Sequence, residues 1–236
     1  MTTEKKKLYY SLFIPVIFTI ILWLIKIIED VSGISFVTFG IYPRQIFGLW
    51  GIIFSPLIHS NFAHLYANTI PLIILSTALF YFYKDIAIKI FLLIYFTTDI
   101  LVWIMAQSAY HIGASGLVYG FTSFLLISGI LRRHTRLMAL SLFILFLYGG
   151  IIWGAFPNFY PDKNISWEAH MMGFISGIIY AFVFRNEGPQ KPVYVWDEED
   201  DDNNDGLVDD YYLEVNPEED VKKEDIPKFN DNVSHT

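Results

Sequence analysis

The stretch GASGLVYGFTSFLLISGIL, residues 113–131, opens on four small residues and runs on almost wholly apolar, without a charge. A bilayer core of about 30 Å takes about 20 such residues in a helix, so the stretch reads as a helix inside a membrane. Its third residue is Ser115. Fifty-five positions later His170 lies near the start of another apolar stretch, 167–184. Serine is a poor nucleophile until an adjacent base takes its proton, and the two can act together only if the fold sets these helices side by side.

The rest of the chain is built for that setting. Of its 236 residues, 54% are hydrophobic, more than a soluble domain usually carries. The net charge of −8 is unevenly spread: residues 197–236 hold 16 acidic and 3 basic side chains, leaving the body with 13 basic and 8 acidic. Six stretches qualify as spans, 8–28, 62–83, 86–106, 115–131, 137–155 and 167–184. Between the first two lies a long connection with a second apolar patch, 46–58, interrupted by Gly48, Gly51 and Pro56. It is expected to lie in or re-enter the membrane interface without crossing. Lys5, Lys6, Lys7, Lys84, Lys89, Arg132, Arg133, Arg136, Arg185 and Lys191 gather on alternate connections, and Arg44 and Lys163 are the basic residues of the others. By the positive-inside rule both termini are cytoplasmic. The fold class is an all-α membrane protein of six transmembrane helices over 1–190, with an acidic, disordered cytoplasmic tail over 191–236.

This topology starts the second, fourth and sixth helices on the outer side, where His64, Asn68, Ser115 and His170 share one depth. His64 and Asn68 are four apart, so they stack on one helical face, and each can donate a hydrogen bond to a developing oxyanion. Tyr119, one turn after Ser115, can reach the His170 ring. Gly173 and Gly177 share the His170 side of its helix and allow close packing. His59 sits just outside the second helix. Each feature has a plainer reading: small residues around Ser115 pack membrane helices, His170 suits an interface, and His64 and Asn68 can be interhelical polar contacts. An ionisable residue within a span nevertheless points to function by default. Asp99 has no evident partner in the sequence, and Pro71, inside the second helix, removes a backbone hydrogen bond.

Taken together, His59, His64 and Asn68 around the second helix, Gly113-Ala114-Ser115-Gly116 opening the fourth, Tyr119, and His170 with Gly173 and Gly177 in the sixth resemble the rhomboid intramembrane serine proteases. The resemblance covers the six-helix core and not the tail. It implies a short central fourth helix beside a water-filled cavity open to the outside. Ser115 would be the nucleophile and His170 the general base, a dyad without a carboxylate. The Ser115 N–H, His64 and Asn68 would form the oxyanion hole, Tyr119 would hold the imidazole, and Gly113 would keep the substrate carbonyl's approach open. The substrate would be a transmembrane segment of another single-pass or multi-pass membrane protein. The Trp-Arg pair of many bacterial members is absent, its nearest counterpart being Tyr42-Pro43-Arg44.

Other classes fit less well. An inactive rhomboid-like binder of membrane helices would usually lack the serine or the histidine. A transporter would spread polar residues over several depths, and a soluble serine hydrolase would show a nucleophile elbow. With no cysteine, disulfides and thiolate chemistry are excluded. No metal, cofactor or nucleic-acid partner is expected. The run 201–206 resembles half of a calcium loop but lacks its closing glutamate. The lipid bilayer is the medium, and a bacterial cytoplasmic membrane is the expected location.

Overall fold

The structure, a computed structural model, describes residues 3–150 and 166–191. The acidic tail (apart from Lys191), its calcium-loop-like run, Lys163 and the end of the expected fifth span, 151–155, lie outside the described residues. The helices are α1 (Thr3–Ser32), α2 (Gly51–Phe54), α3 (Phe62–Phe82), α4 (Ala87–Met105), α5 (Ser115–Arg132), α6 (Thr135–Tyr148) and α7 (Trp167–Val183). Among the described residues the sole β pairing is a single antiparallel bridge between Ile41 and His111. Four helices, α1, α3, α4 and α5, are long and apolar enough to cross a membrane. Helix α6 is apolar but has 14 residues and α7 has 17, so length and composition alone do not make spans of them.

Helix α5 is the centre of the bundle. Its span is 78% buried against 28% for α1, because α3, α4, α6 and α7 all pack on it. The peripheral helices turn apolar stripes outward: Ile88, Leu92, Phe96, Ile100 and Ile104 recur every four residues along α4, all exposed. In water such a stripe would drive association; against lipid tails it is simply solvated. The seam between α5 and α7 is made by glycines. A methyl group on Gly173 would lie 2.1 Å from the Gly116 carbonyl oxygen, and one on Gly177 would lie 2.1 Å from that of Gly120. Backbone touches backbone there, as small residues permit in membrane bundles.

The long connection between α1 and α3 folds as a chain of short helical turns, Val37–Phe39, Ile46–Trp50, α2 and Ser55–Leu57. Gly48 and Gly51 lie against the backbone of Tyr42 and Ile41, so the glycines that interrupt the apolar patch let it double back on itself. Its outward face is apolar, with Ile46, Phe47 and Trp50 exposed. Arg44 anchors it to the far end of α4. The Arg44 backbone N–H donates to the Trp103 carbonyl (3.0 Å), and its guanidinium donates to the carbonyls of Ala106 (2.7 Å) and Ile104 (3.3 Å). These are carbonyls at a helix C-terminus, where a cation is favoured.

Two buried cations of the bundle are held by hydrogen bonds. Lys26 on α1 donates to Glu29 (2.9 Å) and to the Ser60 carbonyl (3.3 Å), and Glu29 accepts the Phe36 N–H (2.8 Å). At the opposite end of α5 the Arg132 guanidinium donates to Ser128 Oγ and to the carbonyls of Phe184 and Pro189. These bonds tie the end of α7 to that of α5. Helix α3 continues through Pro71 without a break.

Candidate active site

Three helix starts meet at one end of the bundle. Asn61 caps α3 by accepting the His64 N–H (2.8 Å), which holds His64 in the first turn, and Asn68 one turn on donates to the His64 carbonyl (3.1 Å). Ser166 caps α7 by accepting the Ala169 N–H (3.2 Å). Asn and Ser are favoured at this position because a side-chain oxygen takes up an N–H that the helix leaves without an acceptor. Ser115 is the first residue of α5, so its own N–H has no acceptor within the helix. The turn into it needs Gly113, whose φ is +109°.

Around that turn the contacts are tight. A methyl group on Gly113 would come within 2.7 Å of His64 Cε1 and 3.0 Å of Nε2, so the His64 ring lies directly on the Gly113 backbone. The Gly113 N–H donates to the Ser55 carbonyl (2.8 Å), and the Ala114 N–H donates to His59 Nε2 (3.3 Å). His59 meets His64 edge to face, with ring centres 5.1 Å apart. Burial, reinforced by the neighbouring His64, pushes the His59 imidazole down to about 3. It is therefore neutral at physiological pH, with Nε2 as acceptor and the proton on Nδ1.

On the other side of Ser115, Tyr119 and His170 stack face to face, ring centres 4.2 Å apart and planes 11° from parallel. Gly116 faces the Ala169 carbonyl, at 3.3 Å from where its methyl would be. Since Ser115 adjoins Gly116, Tyr119 lies one turn along its face, and His170 follows Ala169, the serine and the histidine sit on facing helices at one level. Both are buried, at 9% and 8% exposure. Gly173 and Gly177 carry the contact inward from there.

All ten residues singled out in the sequence lie at this junction or along the seam leading from it. Asp99, however, does not lack a partner. Ser55 Oγ donates to its Oδ2 (2.9 Å), and the same Ser55 accepts the Gly113 N–H through its carbonyl. A carboxyl on α4 thus holds the connection that holds the serine turn, with Thr98, His111, Gly113 and Gly116 lining a small cavity beside it. The sequence could not show this, because the partner sits 44 positions away in an irregular segment. His111 and Ser166 were also missed. His111 Nδ1 and Ser166 Oγ are 2.7 Å apart, and His111 Nε2 lies 2.9 Å from the Gln107 carbonyl. The available signal was a polar residue four positions before each of Ser115 and His170.

The profile of the Rhomboid domain matches residues 47–187. An uncharacterized protein of Mycobacterium tuberculosis (strain H37Rv) is 34% identical over 172 residues, covering 70% of this chain and 72% of that protein. An uncharacterized protein of Mycobacterium leprae is 32% identical over 173 residues, covering 70% and 68%.

Proposed function

The chain belongs to the rhomboid family, and we propose that it is an intramembrane serine endopeptidase working through a Ser115–His170 dyad. The family membership, with four helices fit to span, makes it a multi-pass integral membrane protein. The observation that carries the catalytic reading is the stack of Tyr119 on His170 at the level of Ser115. A ring held at 4.2 Å and nearly parallel is an imidazole with its orientation restricted, which is what a general base requires.

In this reading Ser115 Oγ attacks the scissile carbonyl while His170 takes its proton. The tetrahedral oxyanion is met by the Ser115 N–H, His64 and Asn68. If the Ser60 hydroxyl, 3.3 Å away, donates to His64 Nδ1, the Nε2–H is left as a donor on the side of Gly113. Each such donor is typically worth about 3–4 kcal/mol of barrier. His170 then protonates the departing amine, and water activated by the same ring hydrolyses the acyl-enzyme. The substrates are transmembrane segments of other membrane proteins, cut near their outer ends. The chain crosses six times, with both termini in the cytoplasm, in a bacterial cytoplasmic membrane.

The test is labelling by a fluorophosphonate probe in detergent, which reports an activated serine without needing the natural substrate. Wild type should label, while Ser115→Ala and His170→Ala should not, and the double variant should be no worse than either single one because the pair acts as a unit. A folded wild type that stays unlabelled, where an active family member labels, would refute the protease reading in favour of an inactive helix-binding relative.

A further inference from the structure

We infer that His111 is a positioning residue which, through Ser166, clamps the helix carrying the general base to the turn carrying the nucleophile. The inference rests on the dyad reading. His111 lies four residues before Ser115, and Ser166 lies four residues before His170. The bond between them therefore links the two segments just where each enters its helix.

His111 is buried, at 5% exposure, and held on every polar edge. Its N–H donates to the Ile41 carbonyl (2.9 Å) and its carbonyl accepts the Ile41 N–H (3.0 Å). Its Nε2 is 2.9 Å from the Gln107 carbonyl, which can only accept, so Nε2 carries the proton. In the neutral ring Nδ1 is then an acceptor, and the contact at 2.7 Å is Ser166 Oγ–H donating to it. The same hydroxyl oxygen still accepts the Ala169 N–H (3.2 Å) as the α7 cap. Every proton in this chain has one place to go. The backbone of Ile41 and the carbonyl of Gln107 hold the ring still, the ring holds Ser166, and Ser166 sets the first turn of α7, from which His170 projects. The glycine seam below brings α5 and α7 close, but a seam without side chains resists sliding and rotation poorly. The side-chain bond at its mouth, beside the Tyr119–His170 stack, adds that restraint.

Two near-isosteric variants separate the ring's two ends. In His111→Asn the amide oxygen can take the Nδ1 position and keep the bond to Ser166. In His111→Gln the amide nitrogen can take the Nε2 position and keep the bond to Gln107, leaving Ser166 without its acceptor. Each variant and wild type is reacted with the fluorophosphonate probe in detergent. The saturating labelling rate is read apart from the probe concentration at half-saturation, and thermal midpoints are measured alongside. A misplacement of about 1 Å can cost about 100-fold in rate, so His111→Gln should lower the saturating rate by roughly 10- to 100-fold. Its half-saturation and melting midpoint should stay near wild type, and His111→Asn should recover most of the rate. Wild-type labelling by His111→Gln, equal slowing of both variants, or slowing that merely follows a lowered melting midpoint would overturn the clamp. A wild type that does not label at all would instead sink the dyad reading on which the clamp depends.

Discussion

Gly173→Ala should disable this protein while scarcely unfolding it. The added methyl would lie 2.1 Å from the Gly116 carbonyl oxygen and 2.9 Å from its carbon, where ordinary contact begins at 3.4 Å. The obstacle is backbone of another helix, so no side chain can swing aside and the helices must part by about 1 Å. For stability the terms nearly offset. Alanine is favoured over glycine in a helix interior by about 1 kcal/mol, and overpacking costs about 1–3 kcal/mol, so the net loss is at most about 2 kcal/mol. For catalysis nothing offsets the shift. A displacement of about 1 Å between Ser115 and His170 is worth about 100-fold in rate. The assay pairs fluorophosphonate labelling with thermal unfolding in detergent. Gly149→Ala serves as the control, since among the described residues its methyl meets only the Leu145 side chain, at 3.3 Å. Wild-type labelling by Gly173→Ala would refute the claim that backbone contact at this seam sets the dyad. A collapse in stability as large as the collapse in activity would refute the split between them.

Gly113→Ala combines two faults, a side chain at φ +109° and a methyl 2.7 Å from the His64 ring. Strain of about 1–3 kcal/mol and displacement of the proposed oxyanion donor should slow labelling by roughly 100-fold, and an unchanged rate would remove His64 from the proposed oxyanion hole. Acid should destabilise the protein through His59. Its folded-state value of about 3 lies below the ordinary 6.5, so between these values the unfolded chain binds the extra proton. The contribution is complete above pH 6.5 and is lost as pH falls towards 3, by roughly 3 kcal/mol at pH 4.5. His59→Gln should flatten that part of the pH dependence of the thermal midpoint, and an identical dependence in wild type and variant would show that His59 is not its source.

The helices were legible because each is a local pattern. The starts of α3, α5 and α7 at Phe62, Ser115 and Trp167 follow from an apolar run and the polar residue that opens it. The seam glycines were legible as a face, since Gly173 and Gly177 recur at helical spacing. Between α1 and α3 the reading was coarser. Apolar residues broken by Gly48, Gly51 and Pro56 have no period, and the short turns they form depend on backbone contacts with Tyr42 and Ile41.

By itself the sequence determined which side chains could do chemistry and how far along its helix each one lies, because helices follow from short-range hydrophobicity. Tertiary structure decided which of them meet and what holds them. Tyr119 on His170, His59 on the Ala114 N–H, Ser55 between Asp99 and Gly113, and His111 against Ser166 all join segments far apart in the chain. A hydrogen bond needs its partners within about 3 Å at a set angle, and the packing of α5 among four helices places them there, through distances that no local pattern encodes.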